Sequence, residues 1–181
     1  MSRKSNATYV KYGYGQVEPN HLSAQRTAQI YAQLPADKAI EVLENGQFVK
    51  YDYANKVVNF TGAGEWMLVY NEVKVYDDRE TDADFAMIKT NYDARVYNAL
   101  GELMPENTKM VPRVFKTNIG DIFTTNCVKE TELAVKDELV IGDDGYLTKT
   151  AGTNAGDMKW QVVKVYTLGD NQPAVKIMRI A

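Results

Sequence analysis

Ile40-Glu41-Val42-Leu43-Glu44-Asn45-Gly46-Gln47-Phe48-Val49-Lys50-Tyr51 is two short runs of β-favouring residues meeting at an Asn-Gly dipeptide. Both residues tolerate positive φ, which a type I′ turn demands at its two central positions, so the stretch predicts a tight hairpin. The texture continues outward. Runs rich in Val, Phe and Tyr at 47–53, 57–60 and 66–76 are separated by Asn55-Lys56 and Gly62-Ala63-Gly64, the signature of a β-meander. Toward the C-terminus six more candidates follow, at 114–116, 121–125, 138–141, 146–149, 159–166 and 174–180, with Gly, Asn and Asp clusters between them. The expected fold is therefore mainly β: one or two small antiparallel β-barrel or sandwich domains with little helix.

Residues 137–149 repeat the plan of residues 39–50: strand, Asx-Gly turn, aromatic, aliphatic, lysine. Hairpins converge on that order for physical reasons, so shared turn chemistry explains the echo at least as well as duplication. In 159–166 the residues Trp160, Val162, Lys164 and Tyr166 alternate with Gln161, Val163, Val165 and Thr167, which predicts a strand covered on both faces. Val175, Ile177 and Ile180 need a bulge or a frayed end to face one core.

The N-terminal 35 residues differ. Ser2 to Gly15 is polar, carries Tyr9, Tyr12 and Tyr14 with Lys4 and Lys11, and has few aliphatic residues. It reads as an extended arm, residues 1–35, that would order by lying on another surface. Within it Ala24, Ala28, Tyr31 and Leu34 have helical spacing before Pro35, although Ile30-Tyr31 suits an extended segment equally well. Beyond the arm we expect a β-rich subdomain at 36–105 and a barrel-like subdomain at 112–181, with 106–111 as the linker between Pro105 and Pro112. Residues 85–105 fit a strand or an irregular insertion.

Composition excludes several function classes. With 21 basic and 24 acidic residues and a net charge of -3, the surface as a whole is not one that coats nucleic acid. No long apolar run predicts a membrane span or a secretory signal. One cysteine, Cys127, and one histidine, His21, leave no internal disulfide and no multi-ligand zinc site. Phosphate-cradling, dinucleotide-binding and hydrolase motifs are absent, and no cofactor is expected. Asp143 and Asp144, between Gly142 and Gly145, read as an exposed hairpin tip rather than an acid–base pair. Cys127 reads as a small core residue, and Trp66 and Trp160 as core aromatics. The five carboxylates of residues 77–84 lack the spacing of a calcium loop and read as a solvated or partner-docking acidic segment.

The C-terminal third carries a resemblance. Pro112-Arg113-Val114-Phe115-Lys116-Thr117-Asn118-Ile119-Gly120-Asp121-Ile122-Phe123-Thr124-Thr125-Asn126, then Val140-Ile141-Gly142-Asp143-Asp144-Gly145-Tyr146-Leu147, Trp160-Gln161-Val162-Val163-Lys164-Val165-Tyr166-Thr167-Leu168 and Pro173-Ala174-Val175-Lys176-Ile177, resemble the capsid decoration (head auxiliary, or cement) proteins of tailed bacteriophages. The resemblance covers about seventy residues, plus the arm by general character only. It implies a non-enzymatic virion protein that binds the outer capsid surface and stabilises the lattice of the major capsid protein, as a homo-oligomer on the capsid, after assembly in the host cytoplasm. It implies neither a nucleic-acid nor a membrane partner. Lys4, Tyr9, Lys11, Tyr12 and Tyr14 would then meet neighbouring capsid subunits. A carbohydrate- or receptor-binding β module, or another head or tail component, would share the same composition.

Overall fold

The computed structural model describes residues 4–71, 86–89, 110–153 and 156–181, and across them short β-favouring runs become short strands. In chain order they are β1 (Val17–His21), α1 (Ala24–Thr27), β2 (Ile30–Tyr31), β3 (Val42–Glu44), β4 (Phe48–Asp52), β5 (Val57–Asn59), β6 (Trp66–Val69), β7 (Ala86–Ile88), β8 (Val114–Lys116), β9 (Ile122–Thr125), β10 (Glu138–Ile141), β11 (Leu147–Thr148), β12 (Trp160–Thr167) and β13 (Pro173–Arg179). A curled six-stranded sheet runs β1-β9-β13-β12-β10-β11, a five-stranded sheet runs β2-β8-β6-β4-β5, and β3 pairs with β7. The fold is mainly β and antiparallel, as its composition and punctuation predict.

Alternation along β4 explains how the five-stranded sheet is filled on both faces. Phe48 points into one core and Val49 and Tyr51 into another, all three buried. Phe48 meets Trp160 of the six-stranded sheet with ring centroids 5.7 Å apart, and Phe123 meets the same indole edge-on at 5.0 Å. The Phe48 contact joins the two sheets across one apolar layer, where truncating one ring to alanine costs about 3–5 kcal/mol. Trp66 and Trp160 are both core residues, as expected.

The Asn45-Gly46 dipeptide turns the chain but makes no hairpin. Gly46 has φ +96° while Asn45 stays at negative φ, and Gln47 N–H donates to Glu44 O at 3.2 Å. Positive φ at the third turn residue alone belongs to a type II turn, not type I′. Its twist splays the flanking runs, so β3 leaves to pair with β7 while β4 pairs with β5 and β6.

Two further expectations are corrected, the subdomain divide and the two-sided cover of the 159–166 strand, and two that left alternatives open resolve to one of them. Residues 22–34 hold only one helical turn: Ala28 takes a left-handed φ of 54° and the chain then enters β2. The divide at 105–112 does not separate two cores, because β8 pairs with β6 and Phe115 shares a core with Phe123 and Trp160. Only the first part of β12 is covered: Trp160 and Val162 are buried, whereas Lys164, Val165 and Thr167 are exposed. Of the bulge or frayed end expected at Val175, Ile177 and Ile180, the frayed end is what occurs: β13 stops at Arg179 and leaves Ile180 beyond it, while the bulge of this pair lies in β12 between Val162 and Lys164. The acidic residues 77–84, the 106–109 part of the linker and most of 85–105 lie outside the described residues; β7 supplies a strand at the start of the last of these.

Candidate functional site

The N-terminal segment is the site that sequence reasoning singled out, and the structure seats it on the β body. Residues 4–16 form no regular element, so their backbone groups need side-chain or loop partners, and the body supplies them. Tyr9 N–H donates to Val128 O at 2.9 Å, and the N–H groups of Lys11 and Tyr12 donate to Gln172 Oε1 at 3.1 and 3.3 Å. Gln16 N–H donates to Asn126 Oδ1 at 2.8 Å, and its side-chain amide to Asp170 at 2.8 Å. Ser5 N–H donates to Gly13 O at 2.9 Å, which closes the segment into a loop.

A buried carboxylate holds the far end. Glu44, 1% exposed, accepts from Gly15 N–H at Oε2 (2.6 Å) and from Tyr146 Oη at Oε1 (2.5 Å). Bonds to an ionised acceptor are the strong kind, and two of them compensate a carboxylate that would be costly to bury alone. The approach is so close that a Cβ on Gly15 would lie 2.6 Å from both Asn45 O and Cys127 Sγ. Ala7 and Val10 pack with Cys127 and Tyr146 in a small apolar cluster beside this latch. Burial, then the charges of Glu44 and Asp144, push the Cys127 thiol well up, which keeps it protonated and unreactive. The Tyr146 hydroxyl is pushed up by burial and by Cys127 and Glu44, so it remains a donor.

The five residues picked from the sequence therefore part company. Tyr9 is buried at 8% exposure, and a side chain spent in the core is not offered to a partner. Lys4 and Lys11 are exposed, Tyr14 is half-buried, and Tyr12 is 38% exposed with its hydroxyl donating to Asp170 O. Glu44, Tyr146 and Gln172, which position the segment, were missed. A glutamate or glutamine inside a strand-rich run carries no sequence signal that it will be buried.

Other candidates fall into place more simply. His21 is exposed on β1, and Asp144 pairs with Lys129 at the β10–β11 turn. Among the described residues no group of His, Cys, Asp and Glu side chains has a metal-binding arrangement, and no helix is long and apolar enough to cross a membrane. A shallow groove of about 280 Å³ is lined by Lys50, Glu65, Trp66, Asp157 and Arg179. Its cations are engaged: Lys50 Nζ sits 4.7 Å over the Trp66 ring and Arg179 pairs with Glu65 at 3.0 Å. No family model matches the chain, and neither the curated proteins nor the solved structures contain a match to it.

Proposed function

We propose that this chain is a non-enzymatic structural protein of a tailed-phage virion, one that binds the outer surface of the capsid and cements the lattice of the major capsid protein. The observation that carries the reading is the N-terminal segment: latched by Glu44 and Gln172, it holds Lys4, Lys11 and Tyr12 at the surface of a β body. Pre-ordering of this kind lowers the entropy cost of docking, and exposed cations suit an acidic protein surface. Many copies of one modest contact on a symmetric shell then suffice for tight attachment.

A glycan-binding module would want neighbouring exposed ring faces. Tyr53 is 69% exposed, but its neighbour Tyr51 is 2% exposed and meets it edge-on at 5.6 Å, so that pair offers a single ring.

Co-sedimentation with capsid shells lacking the protein tests the proposal. Saturable binding at a fixed ratio to the major capsid protein is expected, weakened at least tenfold in a Lys4→Glu/Lys11→Glu/Tyr12→Ala variant that keeps the wild-type melting temperature. Shells that retain none of the wild-type chain would overturn it.

A further inference from the structure

β12 changes character midway. Trp160 and Gln161 lie between Leu139 and Glu138 on one side and β13 on the other. The last bonds on the β10 side are made at Val162, whose N–H donates to Asp137 O and whose carbonyl accepts from Lys136 N–H, both at 2.8 Å. After the bulge the strand runs on to Thr167 against β13 alone. Among the described residues no backbone group pairs with the outer edge of 163–167.

The outward groups follow from alternation. Leu168 faces β13's side of the hairpin, since its N–H donates to Gln172 O at 2.9 Å and its carbonyl accepts from Asn171 N–H at 3.0 Å. Stepping back by two, Tyr166 and Lys164 face β13, and Thr167 and Val165 turn their N–H and C=O groups outward; at the bulge Val163 turns only its C=O outward, because Val162 C=O already faces Lys136 and the trans peptide sends Val163 N–H toward β13. Pro173, opposite Thr167, has no N–H to give, as a non-hydrogen-bonded pair there requires. Val165 is 44% exposed. Val135, 54% exposed, directly precedes the Lys136 that closes the paired half, so two large apolar side chains accompany this edge.

We propose that the 163–167 edge pairs antiparallel with the same edge of a second copy of this chain, with the two-fold axis at Val165. That register sets Val165 opposite Val165, Val163 opposite Thr167 and Lys164 opposite Tyr166 of the partner subunit. Val165 N–H and C=O then bond reciprocally with Val165 of the partner subunit, and each Thr167 N–H donates to Val163 C=O of the partner subunit. The side chains suit it too. Lys164 Nζ already lies 5.6 Å from its own Tyr166 ring, and across the axis it meets the same ring chemistry instead of another cation. Centring the axis on Lys164 would set two lysines face to face, which costs stability. An isologous pairing closes at the dimer and so buries an edge that would otherwise invite open-ended association. The proposal is independent of capsid binding.

Light scattering and sedimentation of the full chain over a concentration series test it. A monomer–dimer equilibrium is expected, with Val165→Glu raising the dissociation constant about tenfold by setting carboxylates opposite each other. Tyr53→Glu, at an exposed turn, leaves it unchanged. A short bis-maleimide should link Val165→Cys chains into dimers, while Thr167→Cys chains, whose thiols lie about 13 Å apart along the strand, link far more slowly. The buried Cys127 contributes no link. A monomer at every concentration, a dimer indifferent to Val165→Glu, or Thr167→Cys linking as fast as Val165→Cys would each overturn the proposal.

Discussion

The corners at Asn45-Gly46 and Asp144-Gly145 start from nearly the same sequence plan and end differently. At the second, Gly142 N–H donates to Tyr146 O at 2.8 Å and β10 pairs directly with β11 in a hairpin. At the first, the chain turns and its two flanking runs go to different sheets. The corners also touch: Phe48 N–H donates to Gly145 O at 2.7 Å, and Gln47 Nε2 to Asp144 O at 3.0 Å. An Asx-Gly dipeptide thus fixes where the chain reverses, while the partners waiting on either side fix what it pairs with. Here the Glu44 carboxylate, committed to Gly15 and Tyr146, belongs to a run that cannot also fold back on β4.

The largest test of that difference is Gly145→Ala. Gly145 sits at φ +78°, and a Cβ there would lie 2.1 Å from Phe48 O, so strain and collision act together where the corners meet. We expect a loss of about 3–5 kcal/mol in denaturant unfolding. Gly46→Ala combines its φ of +96° with a Cβ 2.5 Å from Cys127 Cβ, and should cost about 2–4 kcal/mol by the same measurement. A milder result there than at Gly145 would fit a corner without a hairpin to distort.

Glu44→Gln sharpens the comparison at its carboxylate. The amide must turn its NH₂ toward either Gly15 N–H or Tyr146 Oη, which leaves one buried donor unanswered and costs about 1–3 kcal/mol. Combined with Tyr146→Phe, it should show clear coupling in a double-mutant cycle. The smallest effect belongs to Lys129→Ala. Its bridge to Asp144 is solvent-screened, with the two side chains 37% and 46% exposed, so about 1 kcal/mol or less is expected, shrinking further in high salt.

These contrasts mark how far the sequence was legible. Strands β8 to β13 follow from runs of Val, Ile, Phe and Trp bounded by Gly and Asp, because there local propensity and tertiary pairing agree. β1 escaped notice because Val17-Glu18-Pro19-Asn20-His21 is polar and contains proline, and it is a strand only through β9, with Pro19 tolerated on the sheet's outermost strand. By composition the N-terminal segment is an arm with too little apolar surface to bury. Ala7, Tyr9 and Val10 are indeed too few by themselves, but the body completes the cluster of Ala7 and Val10 with Cys127 and Tyr146, takes Tyr9 into its main core, and answers their backbone with Val128 and Gln172. Of the candidate site, the exposed Lys4, Lys11 and Tyr12 could be named from composition. The buried polar groups that seat them could not, since their partners are up to 161 residues away in sequence.

The central claim is that residues 4–16 belong to the folded body and hold Lys4, Lys11 and Tyr12 at its surface. Native-state hydrogen exchange at the amides of Tyr9, Lys11 and Gly15 tests it in the free protein. The latch predicts protection at Tyr9 and Gly15 approaching that of β9, with Lys11 less protected at the rim, and loss of the Gly15 protection in Glu44→Ala. Exchange of all three at unstructured rates while β9 stays protected would contradict it, and would return the segment to a free arm that orders only on another surface.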